Sequence, residues 1–315
     1  MAEPGPETED SGETRAQEIV AQVESGPRNP EFWLSRLTIM MLCIAWSGYQ
    51  LYIAYQPIDA TIARAWHLAF AILLVFLAYP AFNEARPPFW VKLWRRLLPR
   101  RRRKRSLRGY IPLFDVALGV IAAAAALYIW WDYEGIIMRQ GIPSNADVWI
   151  GVVMIILLLE AARRALGLAL PILGIIFLAY SFLGPYLPEI LRHRGIPLDY
   201  VINDQYLSTT GIFGVPLAVS TDFVFLFVLF GALLDRAGAG KYFIDVAFAG
   251  LGWMRGGPAK AAVVASGLTG MVSGSSIANT VTTGTFTIPL MKKVGLPAHK
   301  AAAIEVAAST NGQLM

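Results

Sequence analysis

Small polar residues interrupt one long uncharged run of the sequence, and these residues have the clearest capacity for chemistry. The run extends from Ala261 to Met291, and its middle reads "SGSSIANTVTTG", Ser273–Gly284. Hydroxyl, amide and backbone carbonyl oxygens are hard donors that suit Na⁺ and similar cations. The run is long enough to cross a bilayer, but unpaired backbone groups survive at that depth only within protein or beside a watery cavity. The interruption therefore predicts a cavity or a binding site within the membrane.

Basic residues on both sides of this run favour a hairpin that returns to the side from which it came. The flanking basic residues are Arg255, Lys260, Lys292 and Lys293. Because basic residues mark cytoplasmic segments, we expect a re-entrant hairpin over 258–293. Its entering arm covers 258–272, its tip covers Ser273–Asn279, and its returning arm covers about 280–291. A kinked ordinary span with close helix packing is the alternative.

A second polar interruption follows the hairpin. The segment "LPAHKAAAIEVAASTNGQLM" begins with a helical pattern and then reaches Ser309, Thr310, Asn311 and Gly312. Two broken elements that are close in sequence are typical of a transporter ion site near the middle of the membrane. Glu305, one turn before the break, is either a buried functional carboxylate or an interfacial charge near Lys300.

The elements that must hold these residues are membrane helices. Of the 315 residues, 56% are hydrophobic and only 16% are charged, whereas a soluble domain has about 25% charged residues. Several uncharged runs reach the roughly 20 residues that a spanning helix needs. We therefore expect an all-α polytopic membrane protein with about six spanning helices. They are expected at about 32–55, 62–82, 111–131, 148–162, 166–187 and 219–234.

Basic residues also predict the orientation of the chain. The loop 83–109 contains eleven basic residues and one acidic residue, Glu84, so it is expected in the cytoplasm together with the N-terminus. Within it, Trp and Leu at helical spacing over 87–98 predict an amphipathic helix in the membrane surface. Residues 1–31 are expected to form a disordered cytoplasmic tail. A nucleic-acid partner is not expected, because a basic run beside apolar helices already has a membrane explanation.

Enzymatic chemistry has less support, and no enzyme activity is expected. One cysteine, Cys43, and three histidines leave no disulfide framework and no His/Cys metal cluster. No Walker motif is present, so ATP is not the energy source within this chain. We interpret His67 as interfacial, near the external end of its helix. We interpret Asp222 as a cap that stabilises the N-terminus of the sixth helix rather than as a catalytic acid.

Two interrupted segments resemble the membrane permease of TRAP (tripartite ATP-independent periplasmic) transporters. They are "SGSSIANTVTTGTFTIPLMKKVG" and "AAAIEVAASTNGQLM". The chain more closely resembles the fused form, which joins small and large permease subunits and works with TAXI-type binding proteins. "LLLEAARRALGLALPILGIIFLAYSFLGPYLP" and "TTGIFGVPLAVSTDFVFLFVLFGALL" also resemble that form. The resemblance implies a small-subunit-like region over 32–187 and the N-terminal part of a large-subunit-like transport region over 188–315.

This resemblance implies a sodium-driven, elevator-type secondary transporter of the bacterial inner membrane. A TAXI-type periplasmic binding protein would deliver a small organic solute, usually an organic acid in this family. No organic cofactor is expected, and Na⁺ is the expected coupling ion. The implied Na⁺ ligands are Ser273, Gly274, Ser275, Ser276 and Asn279 of the hairpin, and Ser309, Thr310, Asn311 and Gly312 of the broken helix. The residues implied to face substrate are Asn279, Thr282 and Thr283.

The end of the chain departs from the family pattern. In the family, the large part has an inverted second half with its own hairpin, whereas this chain ends at Met315, immediately after the first break. We therefore expect the N-terminal portion of a longer permease, or a truncated gene product. The alternative function is that of a truncated, non-transporting membrane scaffold.

Overall fold

The described part of the protein is a set of helices. The structure is a computed structural model that describes residues 28, 30, 32–81, 111–139, 141–273 and 276–310, and within these ranges it contains no β-strand. Six helical segments are long and apolar enough to cross a membrane. The prediction of an all-α polytopic membrane protein is therefore confirmed. The loop 83–109, including the expected interfacial helix, lies outside the described residues.

Thirteen α-helices follow one another along the described chain. They are α1 (Trp33–Tyr55), α2 (Ala60–Ala78), α3 (Leu113–Trp131), α4 (Tyr133–Met138), α5 (Asn145–Leu166), α6 (Ala169–Leu183), α7 (Leu198–Ile202), α8 (Val215–Val219), α9 (Phe225–Arg236), α10 (Ala239–Leu251), α11 (Gly257–Ser273), α12 (Ser276–Lys293) and α13 (Ala298–Ser309). The chain divides into two compact units at the junction of Phe223 and Val224. The predicted division into subunit-like regions at residues 187 and 188 stays a prediction.

In the first unit, α2, α3 and α5 form the core. Small residues on α3, including Ala122 and Ala126, are buried against Phe76 of α2 and Met154 of α5. A Cβ atom on Gly119 of α3 would lie 3.1 Å from side-chain atoms of α2. Small residues therefore let the two backbones approach closely, as is common between membrane helices.

An ion-pair network lies where the expected cytoplasmic ends of α3 and α5 meet. The guanidinium of Arg164 donates to Asp115 at 2.9 Å and to Glu160 at 2.7 Å. Arg28 is buried, and it also donates to Asp115 and to the carbonyl oxygens of Phe76 and Leu77. The end of the predicted tail is thus held against the helices at Arg28, while residues 1–27 lie outside the described part.

The sixth span differs from the prediction at Asp222. The span covers Val215–Leu234 and contains a π-helical turn, Ser220–Val224, between α8 and α9. The helical segment begins before Asp222, so this residue does not cap its N-terminus, and that interpretation is wrong. π-Helical turns within α-helices occur frequently at functional sites.

His67 is buried rather than interfacial, with 3% of its surface exposed. The indole nitrogen of Trp46 donates to Nδ1 of His67 at 3.3 Å, and Nε2 of His67 lies 3.1 Å from Oγ of Ser220. The side-chain amide of Gln50 also contacts Nδ1. Because an indole N–H can only donate, Nδ1 is the acceptor and Nε2 carries the hydrogen. The interfacial interpretation is wrong because polar partners on neighbouring segments satisfy the ring.

In the second unit, α9 and α10 precede the hairpin along the chain. Helix α10 was not expected from the sequence; its residues Ile244 and Ala247 pack against Ala261 and Ala265 of α11. Helix α12 begins at Ser276, four residues earlier than the expected returning arm. Residues 276–279 therefore form the first turn of a helix, and the interruption between the two arms is shorter than predicted.

Candidate functional site

The predicted hairpin is an antiparallel pair formed by α11 and α12. Near the turn, Asn279 of α12 contacts Ser266 of α11. Far from the turn, Met291 of α12 packs with Ala262 of α11 and with Ala301 of α13. The second unit therefore contains a three-helix arrangement in which α13 lies against both arms. That both arms reach the cytoplasmic side stays a prediction.

Asn279 lies inside this arrangement and is fully buried. Its amide nitrogen donates to the carbonyl oxygen of Ser266 at 2.8 Å and to the hydroxyl of Ser266 at 3.0 Å. Within the described part of the chain, its amide oxygen is buried without a hydrogen bond, as is the hydroxyl of Thr269, one turn further along α11. A buried polar atom without a partner costs about 1–3 kcal/mol. A group that binds here and accepts these two oxygens as ligands would offset that cost.

Glu305 of α13 is buried, so its interpretation as an exposed interfacial charge is wrong; a functional role for this carboxylate stays a prediction. Glu305 is fully buried and accepts hydrogen bonds from the hydroxyls of Thr283, of Thr287 at 2.5 Å, and of Ser309 at 3.3 Å. A Cβ atom on Gly284 would lie 3.2 Å from Cγ of Glu305. The absence of a side chain at Gly284 therefore lets the carboxylate lie against α12.

Among the residues that the structure describes, no Lys, Arg or His forms an ion pair with Glu305. Taking an ion out of water costs several kcal/mol, which hydrogen bonds offset only in part. In its ionised form, this carboxylate would therefore be stabilised by a positive charge nearby.

Ser266 joins the amide of Asn279 to the carboxylate of Glu305. Its hydroxyl lies 3.0 Å from Nδ2 of Asn279 and 3.2 Å from the hydroxyl of Ser309, which in turn donates to Glu305. These contacts connect all three helices. We refer to the connected residues and their neighbour on α11 as the hairpin polar cluster: Ser266, Thr269, Asn279, Thr283, Thr287, Glu305 and Ser309.

The structure brings together three of the predicted site residues, Asn279, Thr283 and Ser309. Ser276 lies at the start of α12, where its carbonyl accepts from Thr280 at 2.7 Å. Thr310 is exposed, and its hydroxyl donates to the carbonyl of Ala307 at 2.6 Å. The other predicted residues lie outside what the structure describes. For Ser273 and Thr282 the side chains are not described, and Gly274, Ser275, Asn311 and Gly312 are not described at all.

The sequence analysis did not identify Ser266, Thr269 and Thr287 as members of the site. For Thr287 the sequence did contain a signal. Asn279, Thr283 and Thr287 follow one another at intervals of four residues and therefore share one face of a helix. The spacing of three between Ser266 and Thr269 gives the same indication on α11. Neither spacing shows by itself that the two faces point at each other.

The chemistry of the cluster is that of oxygen ligands. It offers hydroxyl, amide and carboxylate oxygens, which suit alkali and alkaline-earth cations. In the described part of the chain there is no group of three or more His, Cys, Asp or Glu residues that could hold a metal ion. The oxygen atoms of the cluster are of the kind that hard cations prefer.

The sequence was compared with known protein families, and one family of membrane transporters matches. Residues 153–315 match the family described as the tripartite ATP-independent periplasmic transporter, DctM component, and they make up more than half of the chain. The chain belongs to the DctM family of TRAP transporters. The match begins within α5 of the first unit and includes the whole second unit.

One similar protein comes from Haemophilus influenzae and is named as a TRAP transporter large permease protein. It is 31% identical to this chain over 78 residues, which are 25% of this chain and 18% of the relative. The matched stretch thus spans less than a fifth of the length of that relative. No solved structure matches the chain.

Proposed function

We propose that this chain is part of the permease of a secondary active transporter that imports a small organic solute across the bacterial inner membrane. Membership of the TRAP family and six candidate spans support a membrane transport component. The proposal includes a periplasmic binding protein of the TAXI type, which delivers the solute, and a fused arrangement of the small and large permease parts. An organic acid is the proposed class of solute.

The proposed coupling ion is Na⁺, and the amide oxygen of Asn279 is the observation that carries this assignment. That oxygen is buried without a hydrogen bond to the described residues. Ser266 and Ser309 link the same side-chain amide to the carboxylate of Glu305, which forms no ion pair with the described residues. The residues fit a sodium ion because they offer neutral oxygens together with one negative charge. Asn279, Thr269 and Ser309 would hold the ion, and Glu305 would offset its charge.

A cation gradient is sufficient to drive such a transporter without phosphate chemistry. One elementary charge that moves across about 100 mV gains roughly 2.3 kcal/mol. Two net charges in each cycle would gain about 4.6 kcal/mol, which corresponds to an accumulation on the order of a thousandfold.

Sodium binding can be tested on the purified chain by thermal unfolding in detergent. Sodium chloride should raise Tm relative to choline chloride at the same ionic strength, because a ligand that binds only the folded state stabilises it by about 1.4 kcal/mol at ten times its Kd. Asn279→Ala should abolish most of this sodium-dependent shift. Asn203→Ala, which removes an amide in the first unit, should leave the shift unchanged.

Transport itself is tested with the full-length permease, reconstituted with its binding protein. Solute uptake should depend on external Na⁺, and Asn279→Ala should raise the Na⁺ concentration that gives half-maximal uptake. Uptake that is unchanged when choline replaces Na⁺, under the same imposed potential, would show that sodium is not the coupling ion.

A further inference from the structure

A chain of hydrogen bonds crosses the hairpin polar cluster from Asn279 of α12 to Glu305 of α13. Nδ2 of Asn279 lies 3.0 Å from Oγ of Ser266. Oγ of Ser266 lies 3.2 Å from Oγ of Ser309, which lies 3.3 Å from Oε1 of Glu305. Ser266 belongs to α11, so it is the link between the other two helices. All four side chains are fully buried, so bulk water does not compete for these bonds.

The two ends of the chain determine the direction of every bond in it. The amide nitrogen of Asn279 can only donate, and an ionised carboxylate can only accept. Each serine hydroxyl has a single hydrogen. Ser309 donates its hydrogen to Glu305, so Ser266 must donate to Ser309 and accept from Asn279. The bonds therefore run in one direction, from α12 through α11 to α13.

Ser266 also determines which way the amide of Asn279 points. The backbone carbonyl oxygen of Ser266 lies 2.8 Å from Nδ2, on the same side as its hydroxyl. A flipped amide would place Oδ1 against that carbonyl oxygen, which cannot donate, and against a hydroxyl whose hydrogen is directed to Ser309. Nδ2 therefore faces Ser266. Oδ1 faces away, and it is the buried oxygen that has no hydrogen bond to the described residues.

We propose that Ser266 is a positioning residue of the sodium site, an inference that rests on the sodium binding proposed above. Ser266 holds the amide of Asn279 with its oxygen toward the ion and does not itself have to touch the ion. It also connects that amide to the charge of Glu305. Hydrogen bonds that end on an ionised group are strong, and bonds in a chain polarise one another. Oδ1 therefore carries more negative charge and binds a cation more tightly.

The threonines of α12 have a different position in the cluster. The hydroxyls of Thr283 and Thr287 contact Glu305 directly, and each also lies near a backbone carbonyl of its own helix. Within the described part of the chain, neither contacts the side-chain amide of Asn279. Ser266 is therefore the residue whose hydroxyl connects the amide ligand to the carboxylate.

The replacement of Ser266 by alanine tests this role in the purified full chain in detergent. Alanine favours a helix, so the variant should fold. The Kd for Na⁺ is obtained from the dependence of Tm on sodium chloride, with choline chloride keeping the ionic strength constant. Ser266→Ala should raise this Kd about tenfold, which corresponds to about 1.4 kcal/mol.

A buried hydroxyl of the first unit provides the matched control. Thr221 is buried, and its hydroxyl donates to the carbonyl of Leu217 within its own span at 2.8 Å. Thr221→Val removes that hydroxyl and should leave the Kd for Na⁺ unchanged. A Kd in Ser266→Ala equal to that of the wild type would overturn the role of Ser266, while sodium binding itself would stand.

A conservative variant separates positioning from a merely structural role. Ser266→Thr retains the hydroxyl and should keep the Kd within about threefold of the wild type, well short of the tenfold change that one lost hydrogen bond can produce. The Tm in choline chloride alone reports on the fold. If Ser266→Thr has the wild-type Tm in choline chloride but binds Na⁺ as weakly as Ser266→Ala, the positioning role is wrong.

A double-mutant cycle with Glu305→Gln tests the connection and does not depend on Ser266→Thr. Ser266 forms no hydrogen bond with Glu305 in the part of the chain that the structure describes, so coupling between them must pass through Ser309. Glu305→Gln should raise the Kd by a factor that is about threefold smaller in Ser266→Ala than in the wild type. Equal factors would overturn the connection. A wild-type Tm that does not depend on Na⁺ would instead overturn the proposed sodium site, and the role of Ser266 with it.

Discussion

The replacement of Thr287 by valine tests whether the buried carboxylate joins α12 to α13. The hydroxyl of Thr287 lies 2.5 Å from Oε2 of Glu305, and both side chains are fully buried. Valine retains the shape of threonine but cannot donate a hydrogen bond. A hydrogen bond to a charged group contributes about 1.5–3 kcal/mol, so Thr287→Val should lower the free energy of unfolding by about 2 kcal/mol.

A second threonine on the same helix provides the matched control. The hydroxyl of Thr280 is half-buried and donates to the carbonyl of Ser276 in its own helix, at 2.7 Å. Since such bonds within a helix contribute little to its stability, Thr280→Val should change the free energy of unfolding by less than about 0.5 kcal/mol, as most substitutions away from special features do. Thr287→Ser, which keeps the hydroxyl, should remain closer to the wild type than Thr287→Val.

Thermal unfolding of the purified protein in detergent measures the difference. About 2 kcal/mol should lower Tm by up to roughly 4–8 °C, because Tm changes by about 2–4 °C for each kcal/mol in chains of about 150–250 residues and by less in longer chains. Equal Tm values for Thr287→Val and Thr280→Val would refute the reasoning. The hydroxyl of Thr287 would then donate to the carbonyl of Thr283, which lies 3.0 Å away within α12, and the carboxylate would not depend on it.

Three further predictions concern topology and packing. In a cysteine-free background, Ser106→Cys should react with an impermeant thiol reagent only after the membrane is opened; labelling in sealed right-side-out cells would reverse the orientation. Arg255→Cys and Val294→Cys, both at exposed positions that flank the hairpin, should react from the same side; opposite sides would make the hairpin an ordinary span. Gly284→Val should destabilise the protein by about 1–3 kcal/mol through overpacking. Gly267→Ala is the control: no atom lies near its Cβ, so it should stabilise the protein by up to about 1 kcal/mol. Similar Tm values for both variants would show that α13 does not pack closely against Gly284.

The six spans were predictable from the sequence because length and lack of charge are enough to define a membrane helix. Helix α10 was missed, since a shorter helix with Gly and Lys near its start has no such signature. Asp222 was misinterpreted because a polar residue before an apolar run usually signals a helix start, whereas here the helix continues through a π-helical turn. His67 was misinterpreted because its partners Trp46 and Ser220 are far away along the chain.

By itself, the sequence determined that this protein is built from membrane helices and that a polar segment interrupts one long apolar run. The membership of Asn279, Thr283 and Ser309 in a binding site stays a prediction. Periodicity decides which residues share one face of a helix. Only the tertiary structure decided that Glu305 is buried, because its position depends on how closely α13 approaches α12 over Gly284. The distance between α12 and α13 depends on many contacts between residues that are distant in sequence, and no local pattern of residue types predicts it.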